Sequence, residues 1–391
     1  MDELALALAM EPVTLRLRNY AEVDGDSQRE WSSNSLRECY ESGAERFGWG
    51  RRNPRVGSMR DGRWLIGWGM ATASYPANFR PAAAKARMLH DGSVWIGCGT
   101  QDLGTGTYTI LTQIAADALG VQPSKVRIEI GDSKLPGAPT SGGSCSATSA
   151  GSAVLLAARE LRKRVISYAT ADEHSPLFNL KQSELLVNEG RVFAKSAPGK
   201  AMTYAEILER YGKRMVEQSA AAQPGLERVA PSGGQSPSAG GEKGNGYSMY
   251  GFGAQFCEVR VDQDLGIVRV SRWVGSFALG RILNAKTLRS QLQGGIVWGI
   301  GMALQEHSIL DHRFGRYVNT NLAEYHVPVN ADVPEIDVVL IEEQDSLVSP
   351  LGAKGAGEIG ITGAAGAICN AVFHATGKRV RDLPITLDKL L

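Results

Sequence analysis

Val94-Trp95-Ile96-Gly97-Cys98-Gly99-Thr100-Gln101-Asp102-Leu103-Gly104-Thr105-Gly106-Thr107 reads as a strand that runs straight into a polar, glycine-rich bend and then into a helix. Ile110, Leu111, Ile114, Ala118 and Leu119 share one helical face beyond the bend, and Gly120 stops them. Upstream, Lys85 to Gly97 reads as a hairpin turning at Asp91-Gly92. Downstream, Val126-Arg127-Ile128-Glu129-Ile130 is the next strand. A second polar bend follows it, Thr140-Ser141-Gly142-Gly143-Ser144-Cys145-Ser146, and feeds a helix through Leu155 and Leu161. Strand, Gly/Ser/Thr loop and helix therefore occur twice in close succession.

Working outward, Ser35-Leu36-Arg37-Glu38 is a capping box, followed at helical spacing by Leu36, Cys39, Tyr40, Ala44 and Phe47. Toward the C-terminus, Phe256 to Val261 and Ile267 to Val274 flank Asp262-Gln263-Asp264-Leu265-Gly266 as a hairpin. Thr287 to Leu304 is a helix rich in small residues, Ile336 to Ile341 a buried strand, and Ile361 to Ala375 a final helix capped by Gly377. Strands and helices mix without a regular βαβ rhythm, which gives an α+β fold. From Ala220 to Gly246 the composition shifts to Ala, Gly, Ser, Pro and Gln, the signature of a linker or loop. Two mixed α/β domains are expected, residues 1–215 and 248–391, joined by a flexible segment at 216–247.

Length and composition exclude several classes. A chain of 391 residues exceeds one ordinary core. Lys+Arg 42 against Asp+Glu 41 leaves a net charge of +1, so no overall field favours nucleic acid or an anionic membrane. No apolar stretch is long enough to span a bilayer. The five cysteines are far apart with no CxxC, and the six histidines show no HExxH spacing. That pattern argues against a disulfide framework, a zinc site or an iron–sulfur cluster in this chain. Met1-Asp2-Glu3-Leu4 carries acid where a signal peptide needs base, which implies a cytoplasmic chain.

A glycine-rich loop that opens a helix presents free backbone N–H groups and the positive end of the helix dipole, an anion site usually used for phosphate. Two such loops suit a ligand with a diphosphate or two anchoring points. Neither matches GxxxxGK[ST], and Gly104-Thr105-Gly106 lacks the third glycine of a dinucleotide fingerprint. Taken singly, such Gly/Ser/Thr turns before helices are more often just caps, and Gln101 and Gln291 read as amide donors for a cofactor or as ordinary polar surface. Near the C-terminus, Gly352-Ala353-Lys354-Gly355-Ala356-Gly357-Glu358-Ile359-Gly360 places one carboxylate in a glycine-lined bend. A lone Glu358 there is a candidate general base. The competing reading is a surface loop closing before a helix. Lys354 would hold phosphate or be solvated.

In order along the chain, GTQDLGTGTYT, TSGGSCSATSAGSAV, QLQGGIVWGIGMALQE and LGAKGAGEIGITGAAGAICNAVFHATGKRVRDLP resemble the molybdenum-cofactor subunit of the xanthine dehydrogenase/aldehyde oxidase family. The similarity is greatest to bacterial three-subunit aldehyde oxidoreductases that carry molybdopterin cytosine dinucleotide. The resemblance implies that both domains bind the molybdenum cofactor and that Glu358 is the catalytic glutamate, deprotonating the water-derived oxygen that attacks the substrate carbon. It also implies cofactor contacts from Gln101, Gly104, Thr105, Gly106 and Thr107 in the first loop, and from Ser141, Gly142, Gly143, Ser144, Cys145 and Ser146 in the second. Gln291, Lys354 and Gly357 complete the set. Thr105 stands where many relatives have Gln. No protein ligand to the metal is expected, since the pterin dithiolene holds it.

The resemblance further implies 2Fe-2S clusters and FAD on partner subunits and a small aldehyde as substrate. Family members are roughly twice this long, and a Phe-Gly loop and an Arg-containing loop of their N-terminal half do not appear here. The chain therefore resembles the C-terminal half of such a subunit, with a separate N-terminal half as a further partner. Relatives also allow a purine or N-heterocycle hydroxylase, a non-catalytic remnant, and a periplasmic location reached by co-export with a partner.

Overall fold

The computed structural model describes residues 1–224 and 246–391. Three helices open the chain, α1 (Asp2–Ala7), α2 (Pro12–Arg18) and α3 (Leu36–Phe47), before strands β1 (Arg60–Asp61) and β2 (Trp64–Pro76). The hairpin follows as β3 (Ala82–Leu89) and β4 (Val94–Gly97), paired antiparallel with Lys85 opposite Gly97. The two loop-helix units are α4 (Thr107–Leu119), then β5 (Val126–Glu129), then the long α5 (Ser146–Ala171). Next come β6 (Leu185–Asn188), β7 (Arg191–Ala194), β8 (Ala197–Thr203), α6 (Tyr204–Arg210) and β9 (Met215–Ala222). The remainder holds β10 (Tyr250–Asp262), β11 (Val268–Ala278), α7 (Ala285–Leu304), the short pair β12 (Leu310–Asp311) and β13 (Arg316–Tyr317), β14 (Glu335–Ile341) and α8 (Ala364–Thr376).

Two sheets carry the architecture. One has the order β1-β2-β10-β11-β14, the other β5-β4-β3-β9. The first is covered on one face by α7 and α8, whose Leu292, Ile296, Ile368 and Val372 pack with Val259, Trp273 and Phe277. On its other face α3 supplies Cys39, Tyr40 and Phe47 against Trp68, Phe256 and Val274. The second sheet packs on α4 and α5, where Ala150, Ala153, Ala157 and Ala158 let the long helix lie close. Glycines let α8 sit directly on β2. A Cβ at Gly67 would lie 1.8 Å from the carbonyl oxygen of Ala371, and one at Gly69 2.2 Å from that of Ala367.

The α+β class holds, but the sheets do not divide the chain at 215/248. β2 pairs along its whole length with β10, Trp64 opposite Asp262 through Pro76 opposite Tyr250, so the first 76 residues share a sheet with the C-terminal part. Composition marks loops; it carries no information on such remote pairing. Residues 215–222, assigned by composition partly to the linker, form β9 against β3; the rest of that segment, 225–245, lies outside the described residues. Ser35 does not cap α3 with its side chain, because its backbone (φ −99°, ψ 32°) is not the extended one a cap requires. Asn34 Oδ1 accepts from the Leu36 N–H instead, at 3.3 Å. β14 is an edge strand, parallel to β11, with only Val338 fully buried, so its apolar run does not mean burial on both faces.

Candidate functional site

The two glycine loops meet. Gln101 Oε1 accepts from the Ser141 N–H and the Ser141 hydroxyl donates to the Gln101 carbonyl, each at 3.1 Å. Gln101 is thus a tie between loops, its Nε2 donating to the Gly99 carbonyl at 3.1 Å. The first loop differs from expectation at its anion site. Asp102 accepts from the N–H groups of Gly104, Gly106 and Tyr108 at 2.9, 3.3 and 3.2 Å, so the chain's own carboxylate fills the start of α4. Burial alone would raise the Asp102 carboxyl, but these N–H donors outweigh it and hold it below the usual range. Gly104 (φ 91°) and Gly106 (φ 82°) both turn left-handed to make this possible. Thr105 and Thr107 share a hydroxyl–hydroxyl bond at 2.9 Å, and both line the cleft below.

The second loop opens α5 differently. No carboxylate caps it; Cys145 is the N-cap residue and its side chain makes no cap bond. The thiol is buried and points back to the Thr140 and Gly142 carbonyls at 3.6 and 3.2 Å, and burial pushes it up. The first-turn N–H groups of α5 have no helical acceptor, and Ser141 and Ser146 stand beside them with their hydroxyls 3.2 Å apart. Gly143 is held from outside by Asn78, whose Nδ2 donates to its carbonyl at 2.7 Å.

Glu358 faces this second loop. The Ser144 hydroxyl donates to Glu358 Oε2 at 2.7 Å and accepts from the Glu358 N–H at 3.0 Å. Tyr75, near the end of β2, lies close enough to the same carboxylate to feel its charge. Burial first, then the neighbouring Glu358 carboxylate, push the Tyr75 phenol up to about 12. Gly357 is exposed and adjoins Ser144 and Gln291, where a Cβ would stand 3.4 Å from the Ser144 Oγ and 3.5 Å from the Gln291 Oε1.

Between these parts lies a cleft of about 290 Å³, lined among others by Thr105, Ser141, Ser146, Thr287, Gln291 and Glu358. Gly142, Ser144 and Gly357 also line it. It receives the N-terminal turns of α5 and α7, with Asn284 and Thr287 on the α7 side. The donors around it are hydroxyls, amides, uncapped backbone N–H and the Arg281 guanidinium, set among apolar walls such as Leu103, Leu288 and Trp298, with one carboxylate, Glu358. That chemistry fits an elongated, phosphate-bearing group. No group of three or more His, Cys, Asp or Glu placed to hold a metal occurs among the described residues.

Lys354 does not serve as a free cation here. Its side chain is fully buried, and its Nζ pairs with Glu343 at 2.9 Å and Asp345 at 3.4 Å while donating to Ser33. The sequence could not show this, because Glu343 and Asp345 lie on the segment after β14 and Ser33 lies before α3. Tyr75, Asp102 and Asn78 escaped the sequence reading. Asp102 was legible in retrospect as Asp before a Gly-x-Gly turn, whereas nothing marked Tyr75.

A half-buried tie between two helix-opening loops, facing a carboxylate on a glycine-lined bend, is an arrangement suited to holding a cofactor. The family described as "Molybdopterin cofactor-binding domain" matches residues 42–334. The "Aldehyde oxidoreductase molybdenum-binding subunit PaoC" of Escherichia coli O157:H7 is 37% identical over 100% of this chain and 49% of its own length. The "Putative xanthine dehydrogenase molybdenum-binding subunit XdhA" of Escherichia coli K12 is 31% identical over 100% of this chain and 50% of its own. In structure, quinoline 2-oxidoreductase from Pseudomonas putida 86 superposes with a TM-score of 0.84 at 23% identity, over 99% of this chain and 50% of that one, which shows the shared fold. The chain belongs to the molybdopterin-binding family of xanthine dehydrogenases and aldehyde oxidoreductases. It spans about half the length of the curated relatives it matches.

Proposed function

We propose that this chain forms the C-terminal half of the catalytic subunit of a molybdenum hydroxylase that oxidises aldehydes to carboxylic acids with water-derived oxygen, and that Glu358 is its general base. The observation that carries the reading is the Glu358 carboxylate at the cleft wall, held by the Ser144 hydroxyl opposite the open end of α5. The N-terminal turn of α5 with Ser141 and Ser146 would hold a phosphate of the cofactor. Thr287 and Gln291 would hold its far end, which suits the cytosine dinucleotide form of molybdopterin. When bound, that group supplies the metal that accepts two electrons from the substrate. Glu358 takes the proton from the attacking oxygen, a contribution worth about 10²–10⁴-fold in rate. Electrons then leave through 2Fe-2S and FAD partner subunits, and the N-terminal half of the subunit, on this or a separate polypeptide, supplies the rest of the pocket.

The test is Glu358→Gln in the assembled complex, with molybdenum content and dye-linked benzaldehyde oxidation measured together. Retained metal with turnover down at least about 10²-fold supports the reading. Undiminished turnover sinks it. Metal absent from a folded chain, alone and with partners, makes this a remnant. A purine or N-heterocycle hydroxylase is the second reading, favoured by the 31% identity to the xanthine dehydrogenase subunit, and xanthine offered beside benzaldehyde separates the two.

A further inference from the structure

We propose that Ser144 is a positioning residue for Glu358, fixing the direction of its carboxylate through one hydroxyl that bonds both ends of the same residue. The inference rests on the proposed role of Glu358 as base. Three observations carry it. First, both hydrogen bonds of the Ser144 hydroxyl go to Glu358, one accepted from its N–H at 3.0 Å and one donated to Oε2 at 2.7 Å. A glutamate has three side-chain torsions, and this bridge closes them into a ring against its own backbone. Second, Ser144 is left-handed (φ 54°), directly after the left-handed Gly143 (φ 63°). An L-residue other than Gly, Asn or Asp is strained there, and glycine would take the turn freely, so the hydroxyl is what the serine adds. Third, Gly355 leaves room for this turn: the Ser144 carbonyl oxygen occupies the space its Cβ would need, 1.6 Å away.

Tyr75 adds a neighbouring phenol from a different element, the end of β2. With both in place, the two chain segments that carry the base and the α5 loop are locked to one another at the reacting group. Ser144 therefore acts through Glu358, and its loss should lower turnover without weakening substrate binding.

The experiment compares Ser144→Gly, Ser144→Ala and Glu358→Gln in the assembled, molybdenum-loaded complex. Ser144→Gly removes the hydroxyl and relieves the turn; Ser144→Ala removes the hydroxyl and keeps the strain. Both should retain molybdenum, lower kcat by about ten- to a hundredfold, and change KM less than about twofold. A loss confined to Ser144→Ala assigns the effect to backbone geometry and overturns the proposal. Full kcat in Ser144→Gly beside an inactive Glu358→Gln overturns it too, leaving the base assignment intact. An active Glu358→Gln removes the base assignment itself and the positioning role with it. Infrared difference spectra of this chain supply a readout free of turnover. The carboxylate stretch isolated by Glu358→Gln should shift in Ser144→Gly, and an unmoved band overturns the bridge.

Discussion

The carbonyl oxygen of Ser144 fills the place where residue 355 would carry a side chain, an ideal Cβ on Gly355 lying 1.6 Å from it. Two loops more than 200 residues apart in the chain are thereby in backbone contact at the base. Gly355→Ala should cost about 1–3 kcal/mol, the usual range for forced overpacking, and should lower kcat by moving Ser144 off the carboxylate. Thermal melting with turnover checks both. A melt and a kcat equal to the parent's would show that the loop yields freely.

Lys354 is buried between Glu343 and Asp345. Removing one partner of a buried ion group strands the others without compensation, typically at about 3–5 kcal/mol. Lys354→Met is expected to lose stability on that scale in urea denaturation. A variant of unchanged stability that fails to retain molybdenum would return Lys354 to the phosphate role the sequence suggested.

Asp102 holds three N–H groups at the opening of α4. Asp102→Ala should destabilise by about 1 kcal/mol, as loss of a helix N-cap does, and Asp102→Asn, which keeps an acceptor oxygen, by less. Because the folded carboxyl lies below its ordinary value of 3.8, its contribution is present above that pH and is lost as pH falls through the lowered value. Guanidinium melts of both variants at neutral pH test the ranking.

His374 is buried in α8 and neutral: Nδ1 accepts from the Trp68 N–H at 2.9 Å, and Nε2 lies 2.7 Å from the Asn53 carbonyl, as a protonated Nε2 requires. Burial, with the Arg52 charge adding to it, lowers the imidazole from 6.5 to about 4. The unfolded chain therefore takes up the proton first. Stability from this group is whole above pH 6.5 and is lost as pH falls toward 4, a change of roughly 3 kcal/mol. His374→Gln should flatten the stability curve across that interval, and a slope identical to the parent's would assign the acid sensitivity elsewhere.

Local signals were legible in the sequence. The Asp91-Gly92 hairpin, the helix stopped at Gly120 and the β10–β11 hairpin all occur where residue pattern and turn chemistry put them. Glu358 and the two loops were also visible, since small residues at tight turns write themselves into composition. What stayed hidden depends on pairing across the chain. β2 with β10, Lys354 with Glu343 and Asp345, and Tyr75 with Glu358 each join residues whose sequence neighbourhoods say nothing of one another. Asp102 shows a different failure: a polar residue in a glycine loop reads equally as a wall for a guest and as the guest's substitute.

The glycines of β2 have one more effect. Gly67 and Gly69 seat α8 on the strand, Gly363 brings the start of α8 against the Thr72 carbonyl, and six residues past Gly69 the same strand presents Tyr75. Helix, base and phenol are thus all measured from one ruler. Warming or pressure that loosens the sheet at its edges would carry the three together, so the spacing at the carboxylate should be among the last dimensions of this molecule to drift.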